Sequence, residues 1–241
     1  MSIADKLTII AENVPKVYEA GQKSEYDRFW DEFQVNGTRT AYRYAFAGYA
    51  WTKEMLKPKY PIRFKDVTAA TRSCMGMFYM FAGGNTGTNE TVDWKELNLD
   101  IDFSNCLNLN YTFSNSKLDN IDVDCSSATN IQNMAMMSDS NQLLTTFKMK
   151  ITDACTNASN AFGYCGNLTN LSFHEGSCLA CSLDLQRSTK LTHESIMNVI
   201  NILKDYSGSG TTYTLTLGST NLAKLTDAEK AIATSRGWTL D

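Results

Sequence analysis

The sequence predicts an α/β fold: a leucine-rich-repeat-type solenoid with short parallel strands, a helical N-terminal segment and an α+β C-terminal cap. Three observations predict it. Four alternating runs, Leu99-Asp-Ile101, Ile121-Asp-Val123, Phe147-Lys-Met149 and Leu171-Ser-Phe173, recur with starts 22, 26 and 24 residues apart. An Asn-led hexapeptide recurs with them: NASNAF (157–162) aligns with NLNYTF (108–113) and more loosely with NIQNMA (130–135). Finally, one three-residue strand and one turn cannot hide their own apolar side. Units of this size bury a core only by stacking on one another.

Bulk properties set the bounds. The 241 residues are 43% hydrophobic and 20% charged, a balance that supports a buried core. A net charge of −4 gives no long-range attraction for nucleic acid, so none is expected as a partner. No apolar run approaches the roughly 18 residues of a membrane span, and no membrane insertion is expected. Met1–Lys6 lacks the basic-then-apolar pattern of a secretory signal. The seven cysteines are therefore expected as reduced, packed thiols.

The elements divide the chain at 1–66, 67–186 and 187–241. In the first part, Ile3, Leu7, Ile10, Val14 and Val17 alternate steps of four and three, a coiled-coil seam. It lasts about two heptads before Pro15 interrupts it. Two readings stand: an oligomerisation or docking helix, through which a homo-oligomer would form, or a helix packed against its own repeats. Tyr26, Phe29, Trp30 and Phe33 form an aromatic stripe at helical spacing, the mark of a core face. Residues 36–66, rich in Tyr and Trp, are expected to cap the first coil, because an open end would expose apolar edge.

In the second part, Arg72–Phe81 reads as a degenerate first copy and Cys181–Leu185 as a truncated last one. The 83–89 segment, GGNTGTN, is a loop without the Lys and Ser/Thr of a phosphate-binding loop. In the third part, Thr192 N-caps a helix carrying Ile196, Val199, Ile200 and Leu203. Tyr213, Leu215 and Leu217 alternate as a strand, Thr226–Glu229 is a capping box, and Trp238–Leu240 is a closing strand.

The stretches MGMFYMFAG (75–83) and ASNAFGYCGNLTNLSF (158–173) resemble BspA-type leucine-rich repeats, over roughly residues 71 to 186. The end segments IADKLTIIAENVPKVYEAG and LTLGSTNLAKLTDAEKAIATSRGWTL are similar to those flanking such repeats in tail-region proteins of phages and prophages of gram-positive gut bacteria. The resemblance implies a virion tail component. Its partners would be a protein or glycan on a host surface, or other tail proteins. The alternative is a bacterial surface adhesin or an intracellular protein-interaction scaffold.

No catalytic constellation stands out, and neither an enzyme nor a cofactor is expected. His174 and His193 each precede a Glu without forming a zinc helix, and no nucleophile elbow occurs. Cys178 and Cys181 have zinc spacing without a second pair; with His174 they make the one conceivable metal cluster, against packed thiols.

The residues facing outward carry the binding hypothesis. If Leu99, Ile101, Ile121 and Val123 face in, then Asp100, Asp102, Asp122 and Asp124 face out. Coil by coil the row continues with Lys148 and Lys150, then Ser172 and His174, then Asp184 and Gln186. In register, neighbouring Asp pairs would lie about 5 Å apart and repel by about 1–3 kcal/mol. Such crowding points to a basic partner or to Ca²⁺; a solvated polar face is the alternative. The functional expectation is a non-catalytic binding module working through this row.

Overall fold

Alternating apolar and polar residues decide which side of each strand turns inward. Ile121, Val123, Phe147, Met149 and Leu171 are buried, while Asp122, Asp124, Lys148, Lys150 and Ser172 between them are not. These positions come from a computed structural model that describes residues 62–64, 78, 92–97, 99–101, 103–136 and 143–241. The seam residues Ile3 to Val17, the aromatic segment up to residue 61, the 83–89 loop and Asp102 lie outside the described residues.

Ten short strands are described: β1 (Ile62–Phe64), β2 (Val92–Asp93), β3 (Leu99–Ile101), β4 (Leu118–Asp119), β5 (Ile121–Asp124), β6 (Thr146–Lys150), β7 (Asn170–Phe173), β8 (Leu183–Asp184), β9 (Tyr213–Thr216) and β10 (Trp238–Leu240). Three helices follow β7 and β8: α1 (His193–Asn201), α2 (Gly218–Leu222) and α3 (Asp227–Ser235). Every described pairing is parallel. In the sheet β5-β6-β7 the register runs Ile121↔Phe147↔Leu171 and Val123↔Met149↔Phe173. Apolar residue therefore stacks on apolar residue and polar on polar, which a one-residue slip would destroy.

The Asn-led hexapeptides form a second line of parallel contacts. Asn108, Asn130 and Asn157 make successive bridges. Each side-chain Oδ1 accepts from the amide two residues on, at 3.0, 2.9 and 3.1 Å. This local bond turns the chain where no ladder satisfies the amide. Three residues after each Asn, the backbone is left-handed at Tyr111 (φ 59°), Asn133 (φ 51°) and Asn160 (φ 52°). Amides of one copy then donate to carbonyls of the next: Leu109 to Asn130 and Ile131 to Asn157, both at 2.9 Å, and Phe113 to Met134 and Ala135 to Ala161 at 2.7 and 2.8 Å. Thr129 and Thr156 hydroxyls donate back to the carbonyls of Leu107 and Thr129, 22 and 27 residues away.

Between strands and turns lies the core. Phe78, Phe113, Phe147 and Phe162 run through it, with ring centroids 5.7, 6.0 and 5.1 Å apart. Trp94 and Phe103 pack edge-on around Phe113. Cys106, Ala128 and Cys155 occupy one equivalent position, two residues before each ladder Asn, and all three are buried. Small side chains fit there because neighbouring chain segments approach closely. Burial pushes the Cys125 thiol well up, and contact with Cys181 (Sγ to Sγ 3.8 Å), together with burial, does the same for Cys155.

Two strand partnerships differ from the coil-by-coil expectation. β3 pairs with β1, Asp100 lying opposite Arg63, and not with β5. Asn120, with a left-handed backbone (φ 52°), separates β4 from β5 in the run 118–124. β4 turns to β2 while β5 turns to β6. β8 joins β9 and β10, and does not extend β7. The open edge of β7 is covered by α1 instead: Leu171 N donates to Ser195 Oγ (3.0 Å), which donates to Thr169 O (2.9 Å), and Asn198 Nδ2 reaches Leu171 O (3.4 Å). A covered edge has no free ladder groups to recruit another strand.

The C-terminal elements lock together through carbonyls left over at helix and turn ends. Thr192 caps α1 by accepting from Ser195 N, and Arg236 Nη1 donates to the carbonyls of Ile200, Asn201 and Leu203 at its other end. Buried Asn221 donates to Leu185 O and Ser188 O, and Lys224 Nζ to Thr189 O and Leu191 O. α3 opens with a full capping box between Thr226 and Glu229.

Candidate functional site

Three neighbouring strands bring a charged group together on the outer face. The register places Asp122, Lys148 and Ser172 side by side, with Asp124 opposite Lys150. His174 lies just beyond β7. Its ring reaches over β6, a span of two strands or about 10 Å, to place Nε2 2.6 Å from Asp122 Oδ1. The neutral ring protonated at Nε2 and the imidazolium both donate in this geometry. The other carboxylate oxygen faces Lys148 Nζ at 3.7 Å.

Side-chain exposures of 37% for Asp122, 41% for Lys148 and 35% for His174 keep the group in contact with water. Solvent-screened pairs of this kind contribute about 0–1 kcal/mol. The cluster is therefore not what holds the sheet together. It is a hydrated patch of both signs, arranged by strands whose inner faces do the stabilising.

The remaining row residues separate. Lys150 Nζ donates to the carbonyl of Glu175, which draws it to the turn after β7. Asp124 is exposed and its Oδ1 accepts from Ser126 N at 2.9 Å, serving its own turn. Asp184 sits in another sheet, opposite Thr216. Asp100 is placed only as the backbone partner of Arg63, and Asp102 is outside the described residues. Among the described residues, Asp100 and Asp122 are therefore not strand partners: Asp100 lies opposite Arg63, and Asp122 stands beside Lys148 and under His174.

Facing aspartates do occur, one register position elsewhere. Asp93 and Asp119 are partners in β2 and β4. Each is occupied by donors: Asp93 accepts from Lys95 N and Asn120 Nδ2, both at 2.8 Å. Asp119 accepts from Thr145 N (2.8 Å), Thr145 Oγ1 (2.6 Å) and Thr146 N (2.9 Å), and so fixes the start of β6. Nothing in the residue pattern separates a structural Asp119 from an outward Asp122; the left-handed Asn120 between them decides.

Among the described residues, no three His, Cys, Asp or Glu side chains converge as metal ligands. His174 is engaged with Asp122 and Cys181 packs against Cys155. No helix among the described residues is long and apolar enough to cross a membrane. Comparison with family models, with curated proteins and with solved structures finds no match to this chain.

Proposed function

We propose that this chain is a non-catalytic binding module: a leucine-rich-type repeat solenoid, associated with a phage or prophage tail, that contacts a host-surface molecule or another tail protein through its strand face. The observation that carries the reading is the hydrated Asp122–Lys148–His174 group across three in-register strands. Polar side chains there are positioned by the sheet without being needed for its stability, which suits recognition of a macromolecule on an open surface.

The test is binding of the labelled full chain to cells of the host bacterium and to purified tail particles. Asp122→Asn, Lys148→Gln and His174→Gln combined should weaken capture about tenfold with an unchanged melting temperature. Unaltered capture places recognition away from this face; absence of wild-type binding to both targets ends the proposal.

A further inference from the structure

The turn-forming copies are not equivalent at one position. Seven residues after Asn108 stands Asn115, with a left-handed backbone (φ 54°); seven after Asn157 stands Tyr164, also left-handed (φ 61°). Asn tolerates this conformation, whereas a bulky side chain is strained in it. The ring is not held there by burial, since Tyr164 is 46% exposed. Tyr111 takes the same conformation (φ 59°) half-buried in its turn, whereas Tyr164 takes it with its ring exposed to solvent.

Tyr164 forms one wall of a cavity of about 200 Å³ lined by Asn160, Phe162, Gly163, Asp184, Gln186 and Arg187. Phe162 is wholly buried beneath the cavity, so the aromatic surface that reaches solvent there is that of Tyr164. Arg187 lies over one face of the Tyr164 ring, its Cζ 4.2 Å from the centroid, and among the described residues it has no ion-pair partner. Asp184 and Gln186 are pinned to each other: Asp184 Oδ1 accepts from Gln186 N and Oδ2 from Gln186 Nε2, both at 2.9 Å. Behind Gln186 stands Gly218 (φ +67°), where an added Cβ would lie 3.1 Å from Gln186 Cβ. Gly218 thus lets the backbone approach Gln186 closely, and Asp184, Gln186 and Arg187 line the cavity.

We propose that this cavity binds a single neutral pyranose ring, such as the terminal unit of a surface glycan. The inference deepens the binding-module reading and rests on it for the kind of protein, though not on the Asp122 face. The chemistry is that of a sugar. An amide, a carboxylate and a guanidinium offer in-plane donors and acceptors for neighbouring hydroxyls. Asp184 and Arg187 cancel in charge, which disfavours an anion. The exposed edge of the Tyr164 ring meets the C–H side of a sugar. The volume is below the roughly 300–1,000 Å³ of drug-sized sites and suits one ring.

Saturation-transfer NMR on the full chain, with methyl glycosides of glucose, galactose, mannose and N-acetylglucosamine at about 10 mM, tests it; a dozen heavy atoms at ordinary ligand efficiency bind in the millimolar range. At least one glycoside is expected to bind. Tyr164→Asn, which restores the residue found at position 115, and Arg187→Gln should each weaken that binding about tenfold, while Asp122→Asn leaves it intact. Silence with all four glycosides, or binding indifferent to both cavity variants, overturns the assignment. Glycoside binding with no capture by cells or tails would leave the cavity standing and remove the proposed role of the charged face.

Discussion

Asn108, Asn130 and Asn157 show how one residue type can set a repeated shape: each turns its side chain onto the amide two positions ahead, and each ladders with its counterpart. Asp119 acts with more force, since one carboxylate holds two amides and a hydroxyl at the start of β6. Asp119→Ala leaves these donors without their acceptor and is expected to cost about 2–3 kcal/mol, read as a lowered denaturant midpoint; a shift under about 0.5 kcal/mol would mean water replaces it. Thiols give a second residue-scale outcome. Burial holds Cys125 protonated, contact with Cys181 plus burial does so for Cys155, and burial raises Cys178 too, but Cys178 alone of the described thiols is partly exposed. Of the six described cysteines, Cys178 should react first with a thiol reagent on the folded protein, as peptide mapping would reveal. Early labelling of Cys125 would mean the core opens readily.

At the scale of elements, the strands draw stability from the residues behind them. Phe147 of β6 sits between Phe113 and Phe162 and is fully buried. Phe147→Ala should cost about 3–5 kcal/mol by chemical denaturation; a loss below about 1 kcal/mol would show the core refilling the gap. Helix α3 depends on pH through its cap. Hydrogen bonds from Thr226, first its backbone N–H and then its hydroxyl, hold the Glu229 carboxyl below its ordinary 4.5, with help from His193. A lowered carboxyl contributes stability that is complete above the ordinary value and is lost as pH falls through the lowered one. Glu229→Gln is therefore expected to melt lower than wild type at neutral pH, with the difference closing below about pH 4.5. A gap that stays constant across that range would show that the charge is not involved.

Across the whole molecule, the three-stranded sheet and the C-terminal elements form one continuous core, from Phe78 to Trp238. α1 covers the edge of β7, and β9 pairs with β8. Removing residues 187–241 should bare that edge and the apolar side of Leu179 and Leu183, so the shortened chain is expected to aggregate on sizing chromatography; a soluble, cooperatively melting product would show that the last segment is dispensable. The residue pattern alone determined the local features: strands at 99, 121, 147 and 171, the recurring Asn turns, the Thr192 cap and the Thr226–Glu229 box. Period-two alternation and side-chain-to-backbone bonds act over a few residues, so they can be read along the chain. Tertiary structure decided who pairs with whom: Asp100 with Arg63, Asp122 with Lys148 and His174, Asp184 away from the row beside Arg187 and Tyr164. The pairing of Asp122 with His174 joins residues 52 positions apart, a distance over which no local pattern acts. Strand alternation fixes which way a side chain faces; only the pairing of distant strands fixes what it meets.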